Sequence, residues 1–377
     1  LAPHTTYAIT LESTVARRDD PEAVAAGRSW TFTTGSPSES GQNLVAFLSA
    51  RSGVRNIWLM NPDGTNPHQL TTELVPVSGF DVSDDGSRVA YSAGGIVSVV
   101  DSDGEDLVRL TADDSFEYAP VFSPDDLRLV VGRRAADGAD LGYWLVPVPG
   151  ADGDERQIAD HGAPALGSAG LGGEGIGGTD GLPAWMPRSA FDPSGRFACI
   201  VTASGDVITV DLRSDAVPGA AVTVPLVADA APAWSPRHEA FVLSAALRDD
   251  GSATSGGPGL WAVAPDGTPR RLEGMSGAVG SIAVSTQGSI AMTVRAASGG
   301  SAGIGLLASG ALTLTRFEPA VGFDDRWPAF SPDGGTLLIG RTFVDRPDEA
   351  DGIWALDLAT GTARQLSTDG AYARWLP

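Results

Sequence analysis

A short apolar strand running into a Ser-Pro-Asp-Gly-type turn recurs along this chain, and that recurrence constrains the fold more than any other feature. It reads FDVSDDG at 80–86, FSPDD at 122–126, FDPSG at 191–195, WSPRH at 234–238, AVSTQG at 283–288 and FSPDGG at 330–335. An alternating second strand follows each turn: RVAYSA, RLVVGR, RFACIV, EAFVLS, SIAMTV and TLLIGR. Third strands come next as IVSVVD, YWLVPV, VITVDL, LWAVAP, IGLLAS and IWALDL. Fourth strands are clearest as LVRLT at 107–111, RRLEG at 270–274 and RQLST at 364–368. Gly, Asp and Pro hold the turns because they supply the positive or pre-set φ that tight reversals need. Four short strands per unit, repeated at a fixed period, is the layout of a propeller blade.

The two ends complete each other. NLVAFLS, NIWLMNPDGTN and HQLT supply strands two to four of a blade that lacks its first strand, and ARWLP at 373–377 is a first strand with nothing after it. Pairing them closes a ring and removes the edges an open array would expose. The expected fold is therefore all-β: a seven-bladed propeller of four-stranded antiparallel blades over residues 43–377, at about 45 residues per blade once a Gly-rich insertion of about 20 is set aside. A six-bladed ring is the alternative, and it would discard one of the visible repeats.

NIWLMNPDGTNPHQLT, with FSPDG at the far end of the chain, resembles the TolB-type (WD40-like) propeller repeat, and the resemblance covers nearly all of 43–377. It implies the fold; such propellers serve as periplasmic partner-binding modules, enzyme gates and occasional lyases. TolB itself has six such blades behind a small α/β domain, and this chain departs from it in both respects. Residues 1–35 differ in kind. LAPHTTYAITL and SWTFTTG resemble the last strands of a bacterial Ig-like domain, with Tyr7, Ile9, Leu11, Trp30 and Phe32 alternating as half-buried strands do. SPSESGQ at 36–42 reads as a linker.

Charge narrows the function. The 25 basic residues are all Arg, set against 47 Asp and Glu, for a net charge of −22. Such a surface disfavours nucleic acid and anionic membranes as partners. Without Lys there is no Walker A loop and no Schiff-base chemistry. No apolar run is long enough to cross a bilayer as a helix, so no transmembrane segment is expected. The single cysteine, Cys199, excludes an internal disulfide.

Individual candidates read as structure before chemistry. Trp58, Trp144, Trp261 and Trp354 share one place in the third strands of alternate blades; a sugar-stacking ring is conceivable, but filling the gap between blades is the expected role. Cys199 aligns with Phe47 and Tyr91 at core-facing positions. GGSAG around Ser301 lacks the helix and downstream His of a nucleophile elbow. GLGGEG at 170–175 lacks the strand and helix of a dinucleotide site. His4, His68, His161 and His238 fall in different slots, so no imidazole metal site is assembled. Asp101, Asp103 and Asp106 resemble half a calcium loop, yet the same slot elsewhere reads NPDGTN and APDGTP, which is turn chemistry. No catalytic residue, cofactor or metal ligand is assigned.

Loop length carries the remaining information. Turns joining strands one to two and three to four are tight, whereas AADGADLG at 135–142, DDGSATSGGPG at 249–259 and VDRPDEADG at 344–352 are long. The Gly-rich connection at 161–183 is longest. All of these emerge on one face, which carries Asp137, Asp140, Asp249, Asp250, Asp345, Asp348 and Asp351 among Arg133, Arg134, Arg248, Arg341 and Arg346. Function usually rides on loops held by a rigid scaffold. The expectation is a non-enzymatic, periplasmic or extracellular scaffold, an accessory subunit of an envelope or membrane-associated assembly, that docks a protein partner on the loop-rich face including 161–183. The alternative is a polysaccharide lyase or hydrolase with its site at the central channel.

Overall fold

The computed structural model describes residues 6–11, 28–33, 44–110, 115–160, 189–201, 206–214, 222–223, 231–245, 259–272, 278–295, 300–346 and 350–377. The chain divides into two units, Leu1–Gln42 and Asn43–Pro377. In the first, Thr6–Leu11 pairs antiparallel with Arg28–Thr33, placing Tyr7 opposite Phe32 and Ile9 opposite Trp30. The rest of the Ig-like expectation and the linker lie outside the described residues.

The second unit is a ring of seven four-stranded antiparallel sheets. Its closure is the expected one, extended by two residues: Ala371–Leu376 pairs with Leu44–Ser49, followed outward by Asn56–Met60 and His68–Gln69. Counting this composite sheet as blade 1, the innermost strands of blades 2 to 7 are Val77–Val82, Ser115–Phe122, Ser189–Phe191, Ala233–Ser235, Ala278–Val284 and Phe323–Phe330. Of the fourth strands expected from sequence, those of blades 2 and 5 are shorter, Val108–Arg109 and Pro269–Arg271, whereas Ala363–Ser367 in blade 7 keeps five residues.

A strand points successive side chains to opposite faces, and here both faces are buried. Leu44, Ala46 and Leu48 pack toward blade 2, whereas Val45 and Phe47 pack toward blade 7. The same division recurs around the ring. In blade 4, Ala198 and Ile200 join blade 3 while Cys199 and Val201 join blade 5. In blade 5, Phe241 and Leu243 face one neighbour and Ala240 and Val242 the other. The core is thus a set of inter-blade layers, and this explains why the second strands read as continuous apolar runs rather than polar–apolar alternation.

The turn motif has a definite job. Ser123 Oγ accepts the Arg128 amide at 3.0 Å and donates to Asp125 at 2.6 Å, closing the hairpin between strands one and two. Ser331, Asp333 and Thr336 repeat the arrangement in blade 7. In blade 2, Gly86 (φ 69°) lies against the Pro377 carbonyl of blade 1, where a side chain would collide. In blade 3 the Gly slot holds Asp126, whose carboxylate accepts the amides of Asp84 at 2.8 Å and Asp85 at 3.1 Å. These turns therefore fasten neighbouring blades together.

Removing residues 371–377 should strip the inner strand from blade 1 and expose Leu44–Ser49 as an open edge. Tyr372 and Leu376 are fully buried, each contributing roughly 1.5–3 kcal/mol, against a total near 5–15 kcal/mol for a domain. Thermal melting of the truncated chain should show a drop of more than about 10 °C or aggregation; an unchanged melting temperature would exclude this closure.

Candidate functional site

The residue before each inter-strand turn stands at the end of the innermost strand, and its identity in successive blades is Trp375, Val82, Phe122, Phe191, Trp234, Val284 and Phe330. Prolines follow two positions later at Pro124, Pro193, Pro236, Pro332 and Pro377. On the tight-turn face this sequence builds an apolar mouth. A cavity of about 370 Å³ opens there, lined from five blades by Phe122, Pro124, Phe191, Pro193, Trp234 and Pro236, with Val284 and Asp84 completing the wall. Trp234 is held edge-on against Phe241, ring centroids 5.0 Å apart. Phe122 is capped by the Arg88 guanidinium at 6.0 Å. Pro193, Pro236 and Thr286 are exposed, so the mouth is open to an incoming group.

Beyond the mouth the inner strands carry charge. The Asp81 carboxylate accepts the Phe122 amide at 2.9 Å, tying blade 2 to blade 3. Burial pushes its pKa up to about 6, against the pull of that amide and of Arg374. Arg374 stacks on Tyr372, 4.2 Å from the ring centroid, and donates to its hydroxyl at 2.6 Å. Tyr372 is in turn edge-on to Phe80 at 5.5 Å.

At the loop-rich end the structure corrects part of the sequence reading. Arg133 and Arg341, expected among the charges carried by the loop-rich face, are buried. Arg341 donates to Asp325 at 2.7 and 3.1 Å and lies over Trp354 at 4.1 Å. Arg133 donates to Glu117 at 2.7 Å, pairs with Glu155, and lies over Trp144 at 4.4 Å. The acid and the Arg stand directly opposite each other on strands one and two, which cross-strand register makes possible. Blade 1 uses the same parts in a more open form, with Arg51 over Trp58 at 4.9 Å and bonded to Asp369 at 3.2 Å. Arg134 donates to the Gly138 carbonyl at 2.7 Å, and Asp137 and Asp140 accept amides of their own turns. Asp351 accepts Trp354 Nε1 at 3.3 Å, while Asp345 and Arg346 remain on the surface.

All four tryptophans occupy the layer shared with the preceding blade. Cys199 is fully buried between blades 4 and 5, and burial raises its thiol well above the ordinary range. Asp101, Asp103 and Glu105 close a turn, with the Glu105 amide donating to Asp103 at 2.9 Å. His238 meets Ser235 Oγ at 2.9 Å within its own turn, and His68 contacts the Asn66 carbonyl at 3.1 Å. Ser301 stands at the start of a third strand. His4, Arg248, Asp249, Asp250, Asp348 and the whole of 161–183, with His161 and 170–175, lie outside the described residues. Among the described residues no cluster of three or more His, Cys, Asp or Glu is placed to hold a metal, and no helix is long and apolar enough to cross a membrane.

Asp81 yields a pH signature. Its folded-state pKa, about 6, exceeds the unfolded value of 3.8, so the unfolded chain loses the proton first and stability falls as pH rises between those values. An amide oxygen keeps the bond from Phe122 without the charge. Asp81→Asn should raise the melting temperature by roughly 2–4 °C at pH 7.5 and leave it unchanged at pH 3.5. A variant equal to or less stable than the parent at pH 7.5 would show that Arg374 already offsets the buried charge.

Neither a protein-family model nor a curated protein matches the chain. Solved structures do. TolB from Acinetobacter baumannii aligns at 13% identity over 95% of this chain and 77% of that one, with a TM-score of 0.50. A structure from a study of two prolyl endopeptidases aligns at 12% identity over 86% of this chain and 50% of that one, with a TM-score of 0.54. Identities this low speak for fold alone. The chain carries a TolB-like β-propeller, built here from seven blades.

Proposed function

We propose that this propeller is a non-enzymatic, extracytoplasmic scaffold that seats a segment of a protein partner on its aromatic and proline mouth. The observation that carries the reading is the mouth itself: a concavity of about 370 Å³ whose wall is mostly apolar and aromatic, with one carboxylate, Asp84, and the hydroxyls of Ser285 and Thr286 at its edge. A desolvated apolar centre inside a polar rim is the anatomy of a protein-binding hot spot. The net charge of −22 favours partners whose flanks are basic, chiefly by speeding encounter. The TolB-like fold and the sequence resemblance to periplasmic propellers support an envelope location.

The sequence-based expectation put the partner on the opposite, loop-rich face, and the two placements separate experimentally. Pro236→Asp with Thr286→Arg alters two exposed lining residues and should leave the melting temperature within about 1 °C. A native pull-down with that variant should lose the partner, while replacing 161–183 by a four-residue turn should retain it. The reverse pattern would move the interface to the loop-rich face. The lyase or hydrolase reading would share the mouth. It would displace the scaffold reading if the parent chain turned over a polysaccharide or peptide substrate and the double variant did not.

A further inference from the structure

Blades 3 and 4 enclose a second cavity, of about 180 Å³, beside the mouth; Phe191 lines both. Its lining is mixed: Leu127, Leu145, Phe191 and Leu212 are its apolar residues, and Arg128, Arg196 and Arg213 bring three guanidiniums. Three guanidiniums in one small cavity stand out in a chain that carries 47 acidic residues. They are not equivalent. Arg196 is consumed by Asp211, to which it donates at 2.7 and 3.2 Å. Arg128 holds the same repeat position as Arg88, which reaches across to the Asp126 carbonyl of the next blade at 2.7 Å. Yet Arg128 contributes only its backbone to the turn, and among the described residues its guanidinium has no hydrogen bond or ion pair. Arg213 donates its backbone amide to Asp211 at 3.0 Å, and that carboxylate is already engaged with the Arg196 guanidinium.

We propose that this cleft binds a small organic acid, the carboxylate taken by Arg128 and Arg213 and the apolar stem laid on Leu127, Leu145 and Leu212. Guanidinium is suited to the role because its planar fork matches a carboxylate, and the leucines beside it offer an apolar surface for a short stem. Two carboxylates share the cavity. Asp125 is occupied by the Ser123 hydroxyl at 2.6 Å and the Leu127 amide at 3.1 Å. Asp152 lines the same cavity, so its negative charge opposes a bound anion. A free monocarboxylic acid and the terminal carboxylate of a peptide offer the same chemistry. Phe191 is shared with the mouth, but no partner there is needed for this site to fill.

Calorimetric titration of the full chain at low salt tests this with hexanoate, hexanamide, and an acetylated Ala-Leu dipeptide in free and amidated forms. Partly exposed Arg–carboxylate pairs are weak, so hexanoate should bind with a dissociation constant on the order of 1 mM. Hexanamide should be at least about tenfold weaker. Arg128→Gln with Arg213→Gln should weaken hexanoate by about tenfold or more at unchanged melting temperature, whereas Asp152→Asn should tighten it about two- to fivefold. That opposite sign is one a merely structural role would not give. A free dipeptide tighter than hexanoate and abolished by amidation assigns the ligand to a protein terminus; the reverse order assigns it to a free acid. Absence of saturable binding, equal affinity for acid and amide, or binding untouched by the double Arg substitution would overturn the proposal.

Discussion

Every blade is buried on both faces, and the rest of the structure depends on that constraint. A four-stranded sheet with two apolar faces has no soluble form of its own, so each blade is stable only between two neighbours. The ring satisfies this because side chains alternate: Val45 and Phe47 serve one interface, Leu44, Ala46 and Leu48 the other. A linear array would leave one face bare at each end. Closure through Ala371–Leu376, more than 320 residues away from its partner Leu44–Ser49, is therefore the contact on which all the inter-blade layers rely.

Polar groups enter these layers only when satisfied, and Arg is the means. At Arg341 the planar guanidinium meets the Asp325 carboxylate edge-on and Trp354 face-on at once. An ammonium could not do both, so Lys is no substitute here. Burial still raises the Asp325 carboxyl despite Arg341, which marks the pair as fastening strands one and two rather than adding much net stability. The axial end works differently: there the turns of neighbouring blades lock through Asp126 and Gly86, which leaves the apolar ring of Phe122, Phe191 and Trp234 unobstructed.

Much of the fold was legible because blade identity lives in local signals. FSPDGG and its relatives mark a turn whose Ser and Asp side chains close the hairpin, and that chemistry is independent of the remote chain. Ring closure was legible because the two incomplete ends added up to one blade. Burial of Arg133 and Arg341 was not read, since a charge near a loop looks solvated until its cross-strand acid is known; the acids at 117 and 325, just before each turn strand, were the available signal. The mouth was present in the sequence as the aromatic preceding Ser-Pro or Asp-Pro at 122, 191, 234 and 330. Its period was read as turn punctuation rather than as side chains of neighbouring blades meeting in one cavity. The Arg128 cleft could not be read at all, because it exists only where blades 3 and 4 meet and depends on which guanidinium is left without a partner.

The central claim is that blade 1, assembled from the two ends of the propeller, opens only when the whole ring opens. Native-state hydrogen exchange measures this directly. The account predicts that amides of Leu44–Ser49 and of Ala371–Leu376 exchange with one shared opening free energy, equal to that of buried second strands such as Arg128–Ala135 and Thr336–Phe343. Ala371–Leu376 exchanging at a far lower free energy, while the remaining blades stay protected, would contradict it.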